Sequence, residues 1–365
     1  FGYTTVADAL VGTRGMYNTY DLTYNAPGVR GYSPFGQYGN RVQVLLDGHR
    51  INDDWLASSF LGFDLMSSLH EVEKIEVIRG PGSAVYGSGA FFGVINLVTP
   101  KTVEELKVTA GMSMLGEGSI RGYAKFESPL GGDGGLRLYA GGIYRQPGTY
   151  EWVQKGPSPE TNKTVFANNL GEEFGGSVLF KAWLGDFTLK AGLNDRTQQI
   201  ATGAYETILG DARTQVQDDR YFVELKHAPQ LSTELALSTR IFYDSYGYRG
   251  NFAYPEEDDG LVREFYRGHV IGSEIRGDYA PLKWARFTLG GEYRFHFDNE
   301  AQGRSDSGLF LDEEHPYHSA AAFGIAHVDI FDWWSLQVGA RLDAQYVSGL
   351  VAVAEPWSGP VTAKQ

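Results

Sequence analysis

Cysteine is missing from all 365 residues. The chain therefore has no disulfide framework and no thiolate metal site. Basic residues are in the minority: 31 Lys and Arg stand against 45 Asp and Glu, a formal charge of −14, and the pI is about 5.0. A nucleic-acid binder needs a basic footprint, so no nucleic-acid partner is expected. No apolar run reaches the ~18 residues of a transmembrane helix. That exclusion does not reach β-barrels, whose walls need only alternate apolar residues and stay near neutral in hydropathy. A basic stretch leading into an apolar one is also missing at the start, so no signal peptide is visible, and FGYTTVADAL reads as mid-domain. The 8 His residues show no HExxH-like spacing, and no nucleophile motif occurs. Neither a metal, a cofactor nor a catalytic residue is expected.

What the chain has in quantity is glycine and aromatics: 47 Gly, 22 Tyr, 21 Phe and 7 Trp. Numerous strands with tight turns need such a composition. Two regions follow different rules. Up to about residue 102 the pattern is mixed α/β. In TTVADALVG, Thr4 or Thr5 is placed to cap a short helix whose face is Val6, Ala9 and Leu10. RVQVLLDGHRI reads as two short strands around the turn pair Asp47-Gly48. A strand is expected at Lys74–Arg79 and another at Gly93–Thr99, with a glycine-rich turn between them.

From about residue 104, long alternating strands take over. In ARFTLGGEYRFHFD, Phe287, Leu289, Tyr293, Phe295 and Phe297 share one side, and Arg286, Glu292, Arg294, His296 and Asp298 the other. SLQVGARLDAQY and DFTLKAGLND repeat the pattern. These runs reach roughly ten residues or more, enough to cross a bilayer at a tilt, where a soluble sandwich strand averages about 5–6. Short turns alternate with long polar loops at roughly 148–174, 199–216, 247–262 and 299–316. Tyr279, Trp284, Phe331, Trp333 and Trp334 lie near the short turns, as an interfacial girdle would. The competing reading is a large soluble β-protein. About eleven such strands occur, an odd number that closes no single-chain bacterial barrel. EPWSGPVTAKQ does not read as a closing strand. An open edge in lipid costs several kcal/mol per unpaired group, so further strands are expected beyond this segment.

RGPGSAVYGSGAFFGVINLVTP, residues 79–100, raises a nucleotide-binding alternative. Against a phosphate loop, Ser88 stands where lysine is needed. Against a dinucleotide fingerprint, Gly93 comes one residue late after Gly87-x-Gly89. Both motifs also need a helix where FFGVINLVT reads as a strand.

EVEKIEVIRGPGSAVYGSGAFFGVINLVT instead resembles the plug-domain signature of TonB-dependent outer-membrane receptors. NRVQVLLDGHRIND resembles the strand–DG–strand unit of that plug, PGVRGY its earlier RG element, and TTVADAL its first helix. The likeness spans nearly all of residues 3–100, in the family's order. It implies a plug domain at 1–102 and, at 103–365, the N-terminal part of a transmembrane antiparallel β-barrel in the bacterial outer membrane. The family's coupling segment and first plug strand have no counterpart in these residues.

The resemblance implies active import of a scarce nutrient powered through the partner protein TonB. A ferric siderophore comes first, then cobalamin, haem or a glycan. Outer-membrane lipid and a small-molecule substrate are the other expected partners. A passive channel or structural outer-membrane protein is the alternative. By the same resemblance Arg30 and Arg79 would pair with carboxylates of the barrel wall. Glu274 and Glu292 are the candidates, since both fall on polar sides of their strands. Aromatic substrate contacts are expected among Tyr17, Tyr20, Tyr24, Tyr38 and Trp55 at the plug's apical loops. The acidic loop FAYPEEDDG, 252–260, reads either as a cation site or as a solvated loop.

Overall fold

The computed structural model describes residues 2–354 apart from 34, 35, 59, 81, 117, 155–160, 257–259, 332, 348 and 349. The tail EPWSGPVTAKQ and the centre of the acidic loop fall outside the described residues. Local chemistry sets the first element, α1 (Val6–Leu10). Thr5 Oγ1 accepts from the Asp8 N–H at 3.2 Å, and the Asp8 carboxylate accepts from the Thr5 N–H at 2.9 Å. This capping box satisfies donors that a helix start leaves free. Then come the hairpin β1 (Met16–Tyr20) and β2 (Asn25–Val29), followed by β3 (Val42–Leu46) and β4 (His49–Arg50). Asp47 (φ 49°) and Gly48 (φ 80°) are both left-handed in the turn between β3 and β4, the conformation for which Asp-Gly is favoured.

β5 (Lys74–Arg79) and β6 (Gly93–Val98) complete a small sheet of order β4-β3-β6-β5, with β3 and β6 parallel and β5 and β6 antiparallel. The glycine-rich stretch between β5 and β6 folds as the four-residue α2 (Ser83–Tyr86) and one 3-10 turn. A side chain at Gly93 would place its Cβ 2.8 Å from the Ile78 carbonyl oxygen, so this strand start depends on glycine. The plug core is Val6, Val44, Leu46, Leu61, Ile95 and Leu97.

The rest is strand: β7 (Lys107–Leu115), β8 (Ser119–Gly131), β9 (Gly134–Arg145), β10 (Gly148–Gln154), β11 (Lys163–Leu170), β12 (Glu173–Leu184) and β13 (Phe187–Gln199). β14 (Gln215–His227), β15 (Leu235–Ala253), β16 (Leu261–Leu282), β17 (Ala285–Ser305), β18 (Gly308–Glu314), β19 (Tyr317–Phe331), β20 (Trp334–Val347) and β21 (Leu350–Ala354) follow. All but β10 and β11 join one antiparallel sheet that runs from β7 to β21 and packs around the plug; among the described residues it has 13 strands and its two edges do not pair. Two of the expected long loops are in fact hairpins, β10–β11 and β17–β18. Outside the bilayer both faces of a hairpin meet water, so no one-sided apolar pattern announces it. Of these hairpin strands only β18 joins the large sheet, which holds 13 strands among the described residues where alternation points to about eleven.

The wall is inverted relative to a soluble protein. Leu189, Val223, Ile241, Ile271, Leu289 and Val338 are exposed on its outer face. Lys181, Lys190, Arg196, Asp218, Glu224 and Arg294 are buried on its inner face against the plug. Tyr279, Trp284, Phe331, Trp333 and Trp334 are all exposed near the short turns, at the girdle level. A charge on the outer band would meet lipid. Leu289→Arg, about five residues inside the Trp284 girdle, is expected to cost roughly 2–4 kcal/mol in urea refolding into bilayers. An unchanged midpoint would remove Leu289 from the lipid face.

Candidate functional site

The plug is held by cations that reach inward from the wall and by one plug histidine that reaches outward. His49 Nδ1 lies 2.9 Å from Glu224 and its Nε2 2.7 Å from Asp244. Lys190 bonds Glu224 at 2.8 Å, and Arg240 donates to the Gly48 carbonyl at 2.9 Å. Lys181 pairs with Asp47 at 2.9 Å, and Arg137 with Glu71 at 2.7 Å. Asn194 donates to the Asp64 carbonyl at 2.8 Å, and Arg220 to the Ile51 carbonyl.

The expected latch residues are placed differently. Arg30 donates to the Arg79 carbonyl at 3.1 Å, and Arg79 to the Arg14 carbonyl at 2.7 Å, both within the plug. Glu274 and Glu292 face each other across β16 and β17 on the inner side. Glu274 is taken by Arg240 at 2.7 Å, and Glu292 by Arg294 and by Arg341 at 3.2 Å. The structure brings the two glutamates together but brings neither to Arg30 or Arg79.

Above this contact layer, at the long-loop end, plug and wall enclose a cavity of ≈ 200 Å³. Three of the five expected aromatic contacts line it: Tyr24, Tyr38 and Trp55. Tyr17 packs its ring over Gly28 in the β1–β2 hairpin, and Tyr20 is exposed at the end of β1. Neither lines the cavity. The wall supplies Tyr246, Tyr248 and Phe252 from β15, Glu264 from β16, and Tyr205 from the loop after β13.

Each ring is fixed. Tyr24 stacks on Phe60 with centroids 4.1 Å apart, and Trp55 stacks on Tyr266 at 5.2 Å. Tyr24 and Tyr246 both donate to Asp218, at 2.9 and 2.8 Å. Burial pushes the Tyr24 phenol well up, which keeps it a donor. Tyr38 and Tyr205 join hydroxyls at 2.6 Å across the plug–wall gap. Asp53 holds the Trp55 loop by accepting from the N–H groups of Trp55, Leu56 and Ser58 at 2.6–2.9 Å. Burial pushes its carboxyl up to about 6, against those bonds and Arg220. Tyr38, Ala57 and Tyr205 sit at φ 47°, 54° and 58°, non-glycine strain gathered around one site.

The wall's share of the cavity was missed in the sequence. One signal was available: in β15 the buried aromatics Phe242, Tyr246, Tyr248 and Phe252 fall on even positions, opposite in phase to exposed Ile241. Aromatics on the lumen side of a barrel strand mark a lined cavity.

A plug domain packed into a β-wall with an apolar outer face, under an aromatic cavity at the long-loop end, defines the architecture as a plugged β-barrel wall. Residues 1–94 match the family model of the TonB-dependent receptor plug domain. The fold is similar to the ferric yersiniabactin uptake receptor FyuA of Yersinia pestis, with TM-score 0.67, 14% identity, and coverage of 94% of this chain and 54% of that one. It is similar to the copper transporter OprC, with TM-score 0.67, 16% identity and coverage of 96% and 55%. It is also similar to the siderophore receptor PiuA of Acinetobacter baumannii, with TM-score 0.64, 14% identity and coverage of 94% and 55%. The chain thus spans about half the length of the structures it matches.

Proposed function

We propose that this chain forms the plug and part of the wall of a transporter that imports a scarce nutrient across the outer membrane, driven by TonB. The observation that carries this reading is the aromatic cavity of ≈ 200 Å³ built jointly by plug apex and outer wall over a plugged lumen. A ferric siderophore is the leading cargo, with cobalamin, haem or a glycan behind it. Tyr24, Tyr38 and Trp55 are its plug contacts. Transport of this kind makes and breaks no covalent bond, so the protein acts as a carrier and not as an enzyme. The passive-channel alternative is disfavoured by the plug's ion pairs, because a domain bonded to the wall from Asp47, His49 and Glu71 obstructs free diffusion.

Growth of a deletion strain on ferric chelates, cobalamin, haem and glycans, with and without TonB, tests the reading. Rescue by this protein that survives loss of TonB would sink it. In the resting state the plug is retained by the His49 and Asp47 contacts. Arg79→Ala is therefore expected to leave plug protection from protease unchanged, and His49→Ala to reduce it.

A further inference from the structure

The cavity's charge narrows what it takes. Among the described residues its lining holds two carboxylates, Asp53 and Glu264, and neither Lys nor Arg. Asp53 is already spent on three backbone N–H groups. Glu264 has no hydrogen bond or ion pair among the described residues, although it is half-buried in the lumen wall. A carboxylate withdrawn from water without a partner is costly, and the cost is recovered when a cation arrives. The rings of Trp55, Tyr248 and Tyr38 line the same cavity. The ring quadrupoles of Trp and Tyr attract a positive centre within about 6 Å, most strongly where water is excluded. Arg196 and Arg220 lie 5.4 and 5.2 Å from the Tyr24 and Tyr246 rings but are not part of the lining.

We propose that this cavity is a cation-selective subsite: it takes an ammonium-bearing arm of the imported ligand, with Glu264 as counter-ion and Trp55, Tyr248 and Tyr38 as its aromatic cage. The inference rests on the import reading above and specifies its ligand. At about 30 Å³ per water-sized group, the space takes about six or seven heavy atoms, an arm and not a whole metal chelate. A polyanionic chelate would find no counter-charge in this lining.

The test uses the full protein in a non-ionic maltoside and three probes of nearly equal size: choline, its neutral isostere 3,3-dimethylbutan-1-ol, and the anion 3,3-dimethylbutyrate. Titration followed by saturation-transfer NMR is expected to show choline binding at least about tenfold more tightly than the alcohol, with the anion weakest. Glu264→Gln, which breaks no side-chain hydrogen bond or ion pair among the described residues, is expected to erase most of that difference and leave alcohol binding unchanged. Trp55→Ala is expected to weaken choline more than the alcohol. Equal binding of choline and the alcohol, tighter binding of the anion, or a preference for choline that survives Glu264→Gln would each overturn the proposal. TonB-dependent uptake is scored separately. Rescue that does not require TonB defeats the import reading whatever the cavity prefers, and loss of charge preference defeats only the subsite.

Discussion

Arg196→Met is expected to release the plug more effectively than any other single change in the contact layer. The Arg196 guanidinium is buried among Glu173 at 2.7 Å, Asp64 at 3.7 Å and Asp218 at 3.8 Å, and it donates to the Thr23 carbonyl at 2.7 Å. Methionine fills a similar volume but takes the guanidinium from three buried carboxylates, of which Glu173 keeps Arg145 at 3.2 Å, Asp218 keeps the Tyr24 and Tyr246 hydroxyls, and Asp64 is left without an ion-pair partner among the described residues. Removing one partner of a buried ionic group typically costs about 3–5 kcal/mol, far more than the intact group contributes. The loss also reaches the ligand cavity, because Asp218 anchors the hydroxyls of Tyr24 and Tyr246. Because the chain lacks cysteine, a single reporter can be placed. Thr23 is buried and its hydroxyl has no hydrogen-bond partner among the described residues, so Thr23→Cys is nearly isosteric. Maleimide labelling of that thiol is expected to accelerate roughly a hundredfold in the Arg196→Met background, the equivalent of about 3 kcal/mol. Arg196→Lys, which keeps a charge but loses the planar fork, is expected to fall between. Equal labelling rates in all three proteins would remove Arg196 from plug retention.

What could be read from the sequence was local or periodic. The Thr5 cap, the Asp47-Gly48 hairpin and the strand Lys74–Arg79 are encoded within a few residues, and the structure has them there. The lipid-facing side of β17 follows from alternation alone, and so does the inward direction of Glu274 and Glu292. Partners across the plug–wall gap are of another kind. His49 meets Glu224 and Asp244 from 175 and 195 residues away, a pairing set by the depth and rotation of the plug within the wall. No spacing rule carries that information. Wall arginines therefore hold the glutamates expected for Arg30 and Arg79: Arg240 on the neighbouring strand takes Glu274, and Arg294 on the same strand with Arg341 two strands away takes Glu292. Tyr24 and Tyr17 differ in the same way. Both are apical aromatics in sequence, yet Tyr17 covers its own hairpin at Gly28 and Tyr24 reaches the cavity.

Docking of the plug is expected to strengthen as pH falls from 8 toward 5.5, with Asp64 the main cause. Neither carboxylate oxygen of Asp64 has a hydrogen-bond partner among the described residues. Burial pushes its carboxyl up to about 7 from an ordinary 3.8; Arg196 opposes this and the neighbouring Asp218 adds to it. Burial moves Asp53 the same way, to about 6. Between pH 4 and 7 the docked plug therefore holds protons that the released plug does not, so release sheds them. Stability from this source is present at low pH and is lost as pH rises through about 6 and then 7. His70 works against it, because burial lowers its value from 6.5 and disfavours the charged ring in the docked state as pH falls. Asp64→Asn separates the two: it keeps the shape, removes the ionisation, and is expected to raise the urea midpoint for plug release at pH 8 while flattening the rise toward pH 5.5. The gain at pH 8 should be roughly 1–3 kcal/mol, the penalty of one unsatisfied buried polar group. A wild-type plug released more easily at pH 5.5 than at pH 8, or an Asn variant with the wild-type slope, would place the pH response elsewhere than Asp64.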